Sequence, residues 1–244
     1  IPIVSGGFGS WELALRRRTR TAGDLADLYD GASKSWARTS RRFGLETAYR
    51  DPLIASGAVE VLAKPSARVL DCGIGSGNLS LALAGIAREP LDHHGIDTSG
   101  AMLKAANDEL RRAAIVPQLH QADVRSIPYP NRTFDVVMAA HVLEHLSEPR
   151  LALHEMVRVL KPGGVLFACM TRRSAFGAIV QLRWRTWMVA EWQGIAWLRE
   201  SGLTGIGVRP LVLGSWAGRA STAFWARKPG GDRRSVADWG GRAP

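Results

Sequence analysis

The chain has 244 residues, 46% hydrophobic and 22% charged, which is enough for one sizeable α/β core and rules out a disordered or fibrous class. A net charge of +10 suits an anionic partner such as nucleic acid, an anionic membrane surface or an acidic substrate. The basic residues are nevertheless scattered in doublets and triplets, Arg16-Arg17-Arg18 and Arg172-Arg173 among them, and two cysteines give no basis for a disulfide framework or a metal centre.

Residues 1–10 are rich in Gly and are expected to fray. From Trp11 to Leu62 the pattern is polar and reads as helical, with Leu25, Leu28 and Tyr29 as apolar contacts and Asp51-Pro52 as a helix start. Strand-length apolar runs follow at 67–72, 94–97, 118–122, 134–139 and 165–170. Helical segments lie between them at 79–87, 99–112 and 151–160, the last with Leu153, Met156, Val157 and Leu160 on one face. Lys161-Pro162-Gly163-Gly164 reads as a turn. Strand and helix alternate, so the expected fold is α/β with a doubly wound parallel sheet. Beyond Met170 come a Trp- and Arg-rich helical stretch at 175–200, β-like runs at 205–213 and 222–226, and a Gly/Arg-rich tail at 228–244 expected to be disordered. The chain thus divides into an N-terminal segment at 1–62 and a main domain at 63–227, with an insertion at 171–203. No apolar run reaches membrane-spanning length and no signal-peptide core is seen near Ile1, so cytoplasmic residence is expected.

The segment at 69–78, Val-Leu-Asp-Cys-Gly-Ile-Gly-Ser-Gly-Asn, reads as a buried strand entering a glycine turn and then a helix. Gly73, Gly75 and Gly77 let the backbone turn sharply and let a ligand lie against the main chain near a helix N-terminus. A dinucleotide fingerprint would need its third glycine where Asn78 stands, and no Gly-Lys-Ser/Thr follows to make a P-loop. Asp97, at the end of the second strand, is spaced to hold a ribose diol. It could instead cap the next helix, but Ser99 already suits that role. A ribose with a small anionic group and no pyrophosphate fits S-adenosylmethionine. Asp71, Asp97, Asp123 and His141 all fall at or just after strand ends, where such sheets bind ligands.

Together with the 69–78 turn, four further segments make the chain resemble class I S-adenosylmethionine-dependent methyltransferases, in particular the small-molecule type represented by ubiquinone/menaquinone C-methyltransferases. They are Gly95-Ile96-Asp97-Thr98-Ser99, Gln121-Ala122-Asp123-Val124, His141-Val142-Leu143-Glu144-His145 and Arg158-Val159-Leu160-Lys161-Pro162-Gly163-Gly164. The resemblance covers roughly residues 65–170. It implies a Rossmann-like, mostly parallel seven-stranded sheet with helices on both faces and an N-terminal helical lid carrying Tyr29 and Trp36 over the cofactor. It also implies that Asp71 orients the loop and approaches the methionyl ammonium, that Gly73, Gly75 and Gly77 underlie the methionine portion, and that Asp97 holds the ribose. Thr98 and Met102 would flank the adenosine, Asp123 would accept from the adenine amino group, and the Val124 N–H would meet the ring. Ala140 and His141 would line the methionine end. Ile74 stands where cysteine is common, a change that a turn residue exposing only its backbone should tolerate. The product would be S-adenosylhomocysteine, and no metal is expected.

The acceptor is read from the remaining segments. His141 is the best-placed general base, and His145, Trp184 and Trp187 are candidates for contact with the substrate. Asp135 is expected to be structural, and Glu144 to act as a cap or ion-pair partner. Ala139-Ala140-His141-Val142 replaces the Asn/Asp-Pro-Pro-Tyr/Phe box of amino-base methyltransferases, and no RNA-binding module is evident, so nucleic acid is disfavoured as a partner. The expected acceptor is a small, apolar or aromatic molecule such as a quinone, phenol, polyketide or lipid. The Trp-rich segment can pack as a lid, line an acceptor pocket, or touch an anionic membrane from its periphery. The competing readings are an RNA or protein methyltransferase using the basic surface, and a noncatalytic cofactor-binding protein.

Overall fold

A computed structural model describes residues 2–8, 11–16, 45–174, 177, 187–211 and 220–230. Strands β1 (Pro2–Phe8) and β2 (Trp11–Arg16) pair antiparallel as a hairpin. This corrects the helical expectation from Trp11 onward: Trp-Glu-Leu-Ala-Leu-Arg nearly alternates, and only Gly9 and Ser10 separate the two strands. Helices α1 (Leu45–Ala55) and α2 (Ala58–Val61) then lead into β3 (Arg68–Cys72). Pro52 lies inside α1 rather than at its start. Burial of Tyr49, Pro52 and Leu53 against the sheet outweighs the one backbone hydrogen bond that proline cannot make. These residues cover one face of the sheet.

After β3 come α3 (Asn78–Ala84), β4 (Asp92–Asp97), α4 (Gly100–Arg112), β5 (Gln118–Gln121) and β6 (Phe134–Ala140). A 3-10 turn (Leu143–His145), α5 (Pro149–Val159) and β7 (Leu160–Thr171) follow. The expected Lys161–Gly164 turn is a register shift within β7: Leu160 pairs with Phe134, while Val165 pairs with Val136. Helix α6 (Glu191–Glu200), β8 (Thr204–Pro210) and β9 (Ser221–Arg227) complete the order.

Among the described residues the main sheet has the order β5-β4-β3-β6-β7-β9-β8. The first five strands are parallel, and β9 runs antiparallel to both β7 and β8. The chain moves outward from β3 to β5 and returns to β6 on the other side of β3, so the strand order reverses between β3 and β6. In open α/β sheets that reversal opens a crevice beyond the carboxyl ends of the strands. Alternate residues of the central strands feed two cores. Leu70, Val137 and Leu166 pack with Leu153 and Met156 of α5. Val69, Val136 and Val165 pack with Leu53 of α1 and Leu83 of α3. Burial on both faces explains why these strands are almost wholly apolar.

Asp135 is the structural residue expected. Its carboxylate accepts from Lys64 Nζ (2.6 Å), Lys161 Nζ (2.8 Å) and the Arg68 N–H (2.9 Å) at the entry to β6. Burial opposes its charge, but these donors hold it below the usual carboxylate range.

Gly194 of α6 lies against the Phe224 ring, and a Cβ there would overlap the ring carbons. Phe224 is fully buried and cannot step aside. Gly194→Ala should therefore lower stability by about 1–3 kcal/mol despite the better helix former. Urea unfolding would show this as a lower midpoint with an unchanged slope.

Candidate active site

Beyond Cys72 the backbone turns at Gly73, Gly75 and Gly77, with φ of +68°, +54° and +83°. These values are open to glycine and strained for most other residues. The N–H groups of Gly73 and Ile74 both donate to Ile96 O, at 2.7 and 3.0 Å, so the turn hangs from the end of β4. Ile74 sends its side chain inward onto Ala106 and Leu110, over Gly95, which is why its difference from cysteine does not touch the cleft. Gly73 abuts the Val142 side chain. Gly77 is the N-cap of α3 and packs on Leu110, so it shapes the turn without lining the cleft.

The cleft is lined by Gly73, Gly75, Asp97, Thr98, Met102 and Asp123 together with the residues around His141. Asp97 accepts from the Gly75 N–H through Oδ2 and from the Ser99 N–H through Oδ1, each at 2.9 Å. Ser99 caps α4 as expected, its Oγ accepting from Met102 N at 3.1 Å. A carboxylate oxygen accepts more than one hydrogen bond, so the same group that ties two loops together can also receive a diol. Farther along, Asp123 is gripped by Arg125, whose Nε lies 3.0 Å from Oδ1 and whose terminal nitrogen lies 2.5 Å from Oδ2. The Arg125 guanidinium is the main cause holding the Asp123 carboxyl below its ordinary range. Arg125 lines the cleft and was not anticipated; a basic residue two places after a strand-end acid was the available signal. Ala122 and Val124 stand beside them in the wall.

At the other end, β6 finishes with Ala140 and His141 follows it, both in the cleft wall. His141 has φ +58°, and its N–H donates to Cys169 O at 2.8 Å. Its Nδ1 is 3.0 Å from Glu144 Oε1, and its Nε2 is 3.9 Å from Cys169 Sγ. Glu144 Oε1 also accepts from the N–H (2.9 Å) and hydroxyl (3.0 Å) of Thr171. Burial opposes a charge on His141, while the Glu144 carboxylate at hydrogen-bond distance favours one. Burial pushes the Cys169 thiol up, so it stays neutral, and Glu144 is the carboxylate paired with the ring. Val142, His145 and Leu146 complete this end of the cleft.

The remaining candidates are placed differently. Asp71 does not line the cleft; it is 1% exposed and accepts from Ser80 Oγ of α3 at 2.8 Å. It therefore braces the turn from below and does not face the ligand space. Trp187 is also outside the lining, although its N–H donates to Glu144 O at 3.2 Å. Tyr29, Trp36 and Trp184 lie outside the described residues.

Residues 70–168 match the family described as a methyltransferase domain. The chain is 34% identical over 116 residues to the ubiquinone/menaquinone biosynthesis C-methyltransferase of Vibrio vulnificus, covering 47% of this chain and 45% of that protein. It is 30% identical over 166 residues to the demethylmenaquinone methyltransferase of Desulfitobacterium hafniense, covering 66% and 64%. The chain thus spans less than two thirds of the length of these relatives. Among solved structures it is similar to a SAM-dependent methyltransferase from Aquifex aeolicus, with TM-score 0.61, 22% identity, and coverage of 81% of this chain and 97% of that one. It is also similar to the cyclase SpnF, with TM-score 0.66, 20% identity, and coverage of 87% and 98%. These structural likenesses establish the fold.

Burial pushes the Asp71 carboxyl from 3.8 up to about 7. The folded chain therefore holds a proton there that the unfolded chain has lost, and the stability linked to it drops away as pH rises through 7. Asp71→Asn keeps an acceptor for Ser80 and removes the ionisation. Between pH 5.5 and 8.5 the melting temperature of the wild type should fall by several degrees more than that of Asp71→Asn, measured by calorimetry.

Proposed function

We propose that this chain, which carries a class I S-adenosylmethionine-dependent methyltransferase domain resembling the ubiquinone/menaquinone C-methyltransferases, moves a methyl group to a small, apolar or aromatic acceptor. The reading is carried by one observation: the reversal of strand order between β3 and β6 gathers the glycine turn, Asp97, Asp123 and His141 into one elongated cleft. S-adenosylmethionine supplies a methyl group on a sulfonium, and transfer is an in-line displacement helped by alignment and by exclusion of water.

The chain's residues fit that cofactor by their chemistry. Asp97 takes the ribose hydroxyls, and the glycine turn lets the methionine portion lie against the backbone. Thr98 and Met102 flank the adenosine, with Met102 buried as an apolar wall. Asp123, kept ionised by Arg125, accepts from the adenine amino group, and the Val124 N–H meets the ring edge. Ala140 and His141 stand at the methionine end, where Val142 and Leu146 give an apolar surface for the acceptor. Two further observations support a small-molecule acceptor: the Ala139-Ala140-His141-Val142 sequence at the end of β6, and relatives whose names describe quinone methylation. Trp187 and His145 remain on the acceptor side of this reading.

No helix among the described residues is long and apolar enough to cross a membrane. Trp192 of α6 is 68% exposed, with Arg199 on the same helix. This supports a peripheral contact with an anionic membrane from the cytoplasmic side, where a lipid-soluble acceptor would be collected.

The fold also hosts a cyclase, so activity needs its own test. S-adenosylhomocysteine should raise the melting temperature, and Asp97→Ala should weaken its binding at least ~10-fold, about 1.4 kcal/mol, by isothermal calorimetry. A radiolabelled methyl-transfer screen over quinols, phenols, lipids and RNA should give signal with an aromatic or apolar acceptor. Absence of any stabilisation by S-adenosylmethionine or S-adenosylhomocysteine would refute the reading.

A further inference from the structure

We infer that Glu144 is a positioning residue that fixes the His141 ring as a buried cation at the acceptor end of the cleft, a site for an anionic oxygen of the bound acceptor. The inference rests on the proposed function for the identity of that end; the pair itself stands on geometry.

Four observations carry it. His141 is one of few non-glycine residues with positive φ, at +58°, and the only one of them that lines the cleft among the described residues. Backbone strain of this kind persists where the surroundings over-determine it. Its N–H is pinned to Cys169 O, so the strain sets where the ring sits. Glu144, 2% exposed, meets the ring at 3.0 Å from within the fold. Its bonding is lopsided: the Thr171 N–H, the Thr171 hydroxyl and the ring nitrogen all converge on Oε1, while Oε2 has no hydrogen-bond partner among the described residues.

A carboxylate that served only to hold Thr171 could have been a glutamine, with no charge to bury. A buried carboxylate with one bare oxygen needs a counter-charge. Among the described residues no Lys or Arg forms an ion pair with Glu144, and His141 does. The other titratable groups around the pair do not replace it. Cys169 of β7 faces Nε2 as a neutral thiol, and Tyr49 of α1 is a buried phenol kept neutral by burial. His145, on the same 3-10 turn, favours the Glu144 charge from a position in the cleft wall. With Nδ1 committed to Glu144, the ring contributes positive charge to the wall and takes no proton. Such a wall favours an acceptor that arrives as an oxyanion over its neutral form.

The test is a carbon-13 NMR titration of the histidine Cε1 signals in the full chain, with His141 assigned by its loss in His141→Asn, a residue that tolerates the left-handed backbone. The His141 signal should stay in its charged form to above pH 8. In Glu144→Gln its midpoint should fall by at least ~2 pH units, a hundredfold loss in proton affinity. A midpoint below pH 7 in the wild type, or a shift under half a unit in the variant, would overturn the inference. Thr171→Val serves if Glu144→Gln does not fold. It removes a competing donor and keeps the carboxylate, so the midpoint should hold or rise; a fall would count against the pair. In the S-adenosylhomocysteine complex, 4-nitrophenol should ionise about one pH unit lower than in water, and at its free value in Glu144→Gln. An unshifted probe in the wild type would remove the oxyanion role. Failure to bind S-adenosylhomocysteine would instead refute the proposed function and leave the histidine titration as a separate answer.

Discussion

The Ile96 carbonyl accepts two backbone hydrogen bonds from the far side of the β3 turn, and the next residue, Asp97, accepts a third. The glycine turn closes with one bond of its own, from the Gly77 N–H to Ile74 O at 2.9 Å, and the rest of its shape is borrowed from the end of β4. Gly95 makes the loan possible: any side chain there would evict Ile74 from beneath the turn. Three consecutive residues of β4 thus set the floor, the anchor and the carboxylate of the cleft. The parallel pairing of β3 with β4 and β6 brings the His141 end into the same space.

Along the cleft the protein keeps its carboxyl groups in different electrostatic states by giving each a different environment. Asp71 sits beneath the floor with a single hydroxyl donor, and burial favours its neutral form. Asp123 is ionised against a half-buried guanidinium at the open end, and Glu144 is ionised against an imidazolium in the wall.

Much of this was legible beforehand because the relevant residues act through the backbone or through strand position. Five parallel strands and their helices followed from apolar runs and spacing, and of the strand-end residues Asp71, Asp97, Asp123 and His141 all but Asp71 line the cleft. The failures have physical causes. Residues 11–16 were read as helix because their alternation spans only six positions, too short to outweigh a polar surrounding. Pro52 was read as a helix start because its tertiary burial is invisible in sequence. The Asp123–Arg125 pair and the convergence of Glu144 and Thr171 on His141 depend on side-chain direction, which spacing does not encode.

The left-handed backbone at His141 also limits how this cleft can be diversified. At φ +58° most side chains other than glycine, asparagine, aspartate and histidine carry a backbone strain of about 1–2 kcal/mol, and β-branched ones fit worst. A library that randomises residue 141 would load most of its members with that strain. Val142, His145 and Leu146 line the same end of the cleft without that restriction, and they are the positions at which acceptor preference can be redrawn while the scaffold stays intact.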